Sequence, residues 1–142
     1  MQGKNILSIF IGIVGATITT LFGGWSVGLT TLVIFMAVDY ISGILVAGVF
    51  KASPKSKSGA LSSKVGYKGL CKKGMSLLIV LIAYRLDLLV GTNYIRDAVV
   101  IGFCVNELIS IVENAGLMGI PLPPILIKTI DVLVNREEKL NE

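Results

Sequence analysis

The chain has 142 residues, of which 54% are hydrophobic and only 15% charged, with a formal net charge of +4 and a mean hydropathy of +0.82. Soluble domains carry roughly 25% charged residues, so a monomer freely dissolved in water is excluded, as is intrinsic disorder, which requires low hydrophobicity. Histidine is absent and cysteine occurs only at Cys71 and Cys104, which removes His-based catalysis and, at about four N or S ligands per site, structural zinc.

The apolar residues fall in long blocks, and this predicts an all-α integral membrane protein. Four blocks stand out: Ile6 to about Phe22, Val27 to Phe50, Gly74 to Val90 and Ile95 to Ala115. Each has roughly the 17–25 residues that a helix needs to cross the hydrocarbon core. Helices are required because lipid leaves a strand edge unsatisfied. The first block follows Lys4 in the manner of a signal peptide, but apolar character resumes straight after Gly23-Gly24. It therefore reads as a retained span. A three-span arrangement, with the N-terminus outside or one segment on the surface, is the alternative; it fits the charges no better. The division expected is a transmembrane domain over 1–120 and a C-terminal helix and tail over 121–142.

Between the second and third blocks, residues 51–73 carry Lys51, Lys55, Lys57, Lys64, Lys68, Lys72 and Lys73 and no acid. The remainder of the chain nets −3, being +4 less these seven. Short cytoplasmic loops collect lysine and arginine, so this loop is expected inside, in contact with anionic lipid. With four spans, both termini are then cytoplasmic. The outer turns, Gly23 to Ser26 and Gly91 to Tyr94, contain no cation and carry Trp25 and Tyr94 where interfacial aromatics belong. The loop holds a single aromatic, Tyr67, and is pinned between spans, which argues against nucleic acid as a partner. After Pro121 and Pro123, a 3.6-residue period from Pro124 to Leu140 predicts an amphipathic cytoplasmic helix. Its apolar face is Leu126, Ile130, Leu133 and Val134, and the pattern leaves open whether lipid or other helices cover it.

Small residues recur every four positions in the first span, including Gly12, Ala16 and Thr20, with a shorter echo at Gly43 and Ala47. Such faces let helices approach closely in lipid. Packing inside one chain is the plainer reading, and contact between copies the sharper one. Asp39 and Glu107 each lie twelve residues past the start of their spans, about 18 Å deep at 1.5 Å per residue, so they reach one depth. Intramembrane charges face protein or water. Arg85 and Asp87 stand level with Arg96 and Asp97, which allows two ion pairs near the outer surface. In the fourth span Asn106, Glu107, Ser110, Glu113 and Asn114 occupy one arc. This polar stripe is either buried in the bundle or lines water in a larger assembly. Nothing here forms a nucleophile–base pair, and no phosphate loop or dinucleotide fingerprint occurs. Neither an enzyme nor a cofactor is expected.

The chain resembles the bacteriophage lysis and toxin-secretion holins, a group that includes clostridial toxin-release holins. The matching elements keep their order: "VDYISGILVA" with Asp39 and Gly43, the basic "SSKVGYKGLCKKG", "RLDLL", and "NELISIVENAGLMGIPLPPILIKTIDVL". The last is the most specific, and the resemblance spans about Phe35 to Leu133. It implies a protein of the bacterial cytoplasmic membrane that oligomerises into lesions. Endolysin or toxin is then a functional partner, with no direct binding needed. It implies no catalytic residues; Asp39, Glu107 and Glu113 match its polar intramembrane positions. Two further readings stand beside it: a small ion channel or transporter with a path through Asp39 and Glu107, and a structural module that recruits a partner.

Overall fold

The computed structural model describes residues 2–141, with side-chain surroundings for 3–139, and every regular element in them is helical. The helices are α1 (Gln2–Leu21), α2 (Val27–Gly48), α3 (Ser63–Val90), α4 (Ile95–Leu117) and α5 (Pro124–Asn141). Two of them, α1 and α2, are long and apolar enough to cross a membrane.

Local chemistry sets the boundaries. Ser26 precedes α2 in an extended conformation, and its hydroxyl accepts from the Leu29 N–H at 3.1 Å, satisfying one of the donors a helix start leaves free. Gly91 ends α3 in the left-handed region at φ 77°, where its N–H donates to the Asp87 carbonyl. A side chain there would be strained, which is why helices so often stop on glycine. Pro124 opens α5 at a position where a missing N–H costs nothing.

The third helix differs from the sequence expectation. It begins at Ser63, not Gly74. At 28 residues it is about 42 Å long, longer than a membrane core requires. The loop shrinks accordingly, and Lys64, Lys68, Lys72 and Lys73 stand on helix. Lysine is a good helix former, so a polar first three turns cost α3 little.

The bundle is α2, α3 and α4, with α4 central. Each contributes a seam spaced alternately three and four residues apart, the spacing that lets helices interlock side by side. On α2 it runs Leu29, Leu32, Met36, Asp39, Gly43, Val46; on α3 Lys73, Ser76, Val80, Ala83, Asp87; on α4 Val100, Phe103, Glu107, Ser110, Asn114. Every one of these is buried or half-buried. The opposite faces are apolar and exposed, as at Leu78, Ile82, Leu86 and Leu89 on α3. An apolar surface of this extent asks for lipid or a partner.

The two end helices behave differently. α1 packs along no other helix, and none of its residues from Gly3 to Leu21 is buried. α5 folds back against α4. Its Ile130, Leu133, Val134 and Glu137 are half-buried, and Glu137 reaches Gly102, where an added Cβ would lie 3.3 Å from its carboxylate. The choice the sequence left open, lipid or helices, falls to α4.

Candidate functional site

The interior is apolar towards the turns that join α1 to α2 and α3 to α4. Leu29, Leu32, Met36, Val80 and Val100 form its core, with Leu77 and Phe103 packed against it. One turn further along, the same seams become polar. Lys73 Nζ donates to Asp39 Oδ2 at 2.7 Å and to Glu107 Oε2. One cation from α3 thus joins one carboxylate from α2 and one from α4. Their side chains are 14%, 11% and 9% exposed, so the charges sit well away from bulk water.

A buried charge is tolerated when its hydrogen-bonding capacity is filled. Asn114 supplies the rest: its Nδ2 donates to Asp39 Oδ1 at 3.1 Å and to Ser42 Oγ at 2.8 Å. Ser42 in turn donates to the Asp39 carbonyl at 3.0 Å. Both oxygens of Asp39 are therefore engaged. Among the described residues no buried side-chain polar atom lacks a partner. The network ties three helices together through a single ammonium.

A second polar cluster locks the opposite end. Asp87 is buried and accepts from Thr92 Oγ1 at 2.7 Å, Ile95 N–H at 3.0 Å and Arg96 N–H at 2.8 Å. It caps α4 from the last turn of α3, where a carboxylate also suits the helix dipole. Arg96 Nη1 donates to the carbonyls of Phe22 and Gly23 at 2.9 and 3.0 Å and its guanidinium lies over the Tyr84 ring. Gly23 sits at φ 75°, and a Cβ there would run into Tyr84. These contacts fasten the C-terminal end of α1 to the bundle.

Asp39 and Glu107 do meet at one level, with Lys73 between them. Lys73 itself was expected among the solvated loop lysines. It points inward because α3 starts early and carries it onto the same seam as Val80, Ala83 and Asp87. That spacing was readable in the sequence and is the signal that finds it. The remaining lysines Lys51, Lys55, Lys57, Lys64, Lys68 and Lys72 are exposed. The polar stripe of α4 divides: Glu107, Ser110 and Asn114 turn into the bundle, while Asn106 and Glu113 are exposed. Neither of the two ion pairs allowed between α3 and α4 occurs among the described residues; Arg96 pairs with Asp97 of its own helix at 3.1 Å. Asp87 bonds backbone instead, and Arg85 is exposed and forms no ion pair among the described residues. Gly43 and Ala47 pack inside the chain, whereas Gly12, Ala16 and Thr20 lie on the bare α1, with nothing within 4 Å of a Cβ at Gly12.

Comparison with known proteins gives this arrangement a family. A model described as the bacteriophage holin family matches residues 16–135. The chain belongs to that family. The family is one of membrane proteins and not of enzymes, and the match covers both polar clusters. Among relatives, an uncharacterized protein of Listeria innocua is 44% identical over 85% of this chain and 81% of its own length. An uncharacterized 14.9 kDa protein of Clostridium perfringens is 35% identical over 94% and 99%. A protein of Bacillus phage phi105 named probable holin is 25% identical over 80% and 79%. No solved structure matches the chain.

Proposed function

We propose that the protein is a phage holin that oligomerises in the bacterial cytoplasmic membrane and opens lesions through which endolysin, or a toxin, passes. The observation that carries this reading is the Asp39–Lys73–Glu107 cluster. It is a set of water-seeking groups closed inside the bundle, next to the apolar core of Leu29, Leu32, Met36, Val80 and Val100. A protein that is harmless while it accumulates and disruptive later needs such a hidden polar surface. In the closed bundle the three charges satisfy one another; once the helices part, water does so instead.

The topology that accompanies this has four spans, α1 to α4. The N-terminus, the lysine-rich loop and the start of α5 lie on the cytoplasmic side. Trp25 and Tyr94, both exposed, mark the outer interface. Lys73 and Asp87 of α3 and Arg96 and Glu107 of α4 face protein, as charges within a span should. Docked along α4, α5 brings the exposed Lys128, Asp131, Glu138 and Lys139 to membrane depth. At the bilayer centre a lysine or aspartate costs about 2.5–3.5 kcal/mol. That flank therefore belongs to water or to another copy, and it is the side on which copies would enclose a lumen. The bare α1, with Gly12, Ala16 and Thr20 on one face, supports contact between copies as well.

A selective channel within one chain is disfavoured by the interior itself. The polar path ends at Met36, and Leu32, Val80 and Leu29 close what lies beyond it. Expression in a host carrying a cytoplasmic endolysin tests the proposal. Membrane potential is expected to collapse abruptly and the endolysin to escape; a host that keeps its potential at every expression level contradicts it.

A further inference from the structure

A cleft of about 250 Å³ opens between the second half of α2, the loop that follows and the first turns of α3. The Asp39–Lys73–Glu107 cluster forms its floor. The rim takes no part in that cluster. It carries Lys55 and Lys72, both exposed and neither in an ion pair among the described residues. Ser53 and Ser62 also line it. Ser53 Oγ accepts from the Lys55 N–H at 3.3 Å, which leaves its hydroxyl proton to donate, and the Ser62 hydroxyl makes no capping bond.

Charge decides what such a cleft takes. The carboxylates at the floor are already engaged by Lys73, and Asp39 on both oxygens. They offer little to an arriving cation. What lies unpartnered is two ammonium groups and hydroxyl donors, and over the five charged groups of the cleft the balance is one positive. An anion with several acceptor oxygens completes it, and a phosphate has that form. Part of the wall is apolar, with Ile44, Ala47, Leu61 and Val65. Leu61 is 60% exposed, and Val49, Phe50 and Tyr67 near the basic segment are exposed too. Basic clefts between membrane helices on the cytoplasmic side bind phospholipid headgroups.

We infer that this cleft binds a phosphate group, presented by an anionic phospholipid of the surrounding leaflet, between Lys55 and Lys72. The inference does not depend on lesion formation, because binding is read in detergent without a membrane to perforate. The protein purified in micelles is titrated with phosphatidylglycerol, phosphatidylcholine or inorganic phosphate and followed by native mass spectrometry. One phosphatidylglycerol per chain is expected, in preference to phosphatidylcholine. Lys55→Gln with Lys72→Gln should weaken retention about 30-fold. Lys57→Gln with Lys68→Gln, two lysines outside the cleft, should leave it at the parent level. Lys55→Arg with Lys72→Arg should retain the lipid, and circular dichroism checks that every variant is helical. Displacement of the lipid by inorganic phosphate supports the phosphate chemistry. Saturable binding of inorganic phosphate with no lipid retained overturns the lipid as its source. Equal retention of both lipids, or of phosphatidylglycerol by both glutamine pairs, overturns the site.

Discussion

In one half of the bundle Leu29, Leu32, Met36, Val80 and Val100 close on one another; in the other, the same seams carry Asp39, Lys73, Glu107 and Asn114. The spacing is shared and the chemistry is opposite. Apolar contacts are many and individually small, so that half loses stability in proportion to the atoms removed. The polar half rests on one ammonium with two clients, so it holds fully or fails together. The first makes a bundle, and the second makes a bundle that can be opened.

Removing Lys73 should separate the halves most sharply. Lys73→Met leaves two carboxylates facing each other without a cation. Breaking a buried pair in this way costs about 3–5 kcal/mol, read as lower resistance to denaturing detergent. Leu32→Ala, at a fully buried position, should cost about 2 kcal/mol from lost packing, and in the same assay the parent seam geometry should persist. Asp87→Ala removes the cap of α4 and its three hydrogen bonds. A loss of about 1–2 kcal/mol is expected, with faster proteolysis at the neighbouring turns. Glu113→Gln, on the exposed face, should leave stability within about 0.5 kcal/mol of the parent. A cost like that of Lys73→Met would place Glu113 in the interior and undo the division of α4 into two polar faces.

Much of this was legible beforehand. Helix starts at Val27 and Ile95 follow from apolar blocks behind turn residues, and the shared depth of Asp39 and Glu107 follows from counting. Lys73 was hidden by its neighbours: six other lysines made the segment look like solvated loop, although the three-and-four spacing back from Asp87 and Val80 reaches it. Asp87 looked like half an ion pair because sequence displays side-chain charge and not free backbone N–H groups. The docking of α5 on α4 was not legible at all, since an apolar face at helical spacing fits lipid and protein equally well.

The central claim is that the Lys73 clasp holds water-seeking groups closed. The most direct measurement compares the onset of membrane depolarisation at equal membrane abundance in three forms: the parent, Lys73→Met, and Asp39→Asn with Lys73→Met and Glu107→Gln together. The single variant, with unpaired buried carboxylates, should depolarise earlier than the parent. The triple variant, with no charge left in the cluster, should depolarise later or not at all. A common onset for all three would contradict the account.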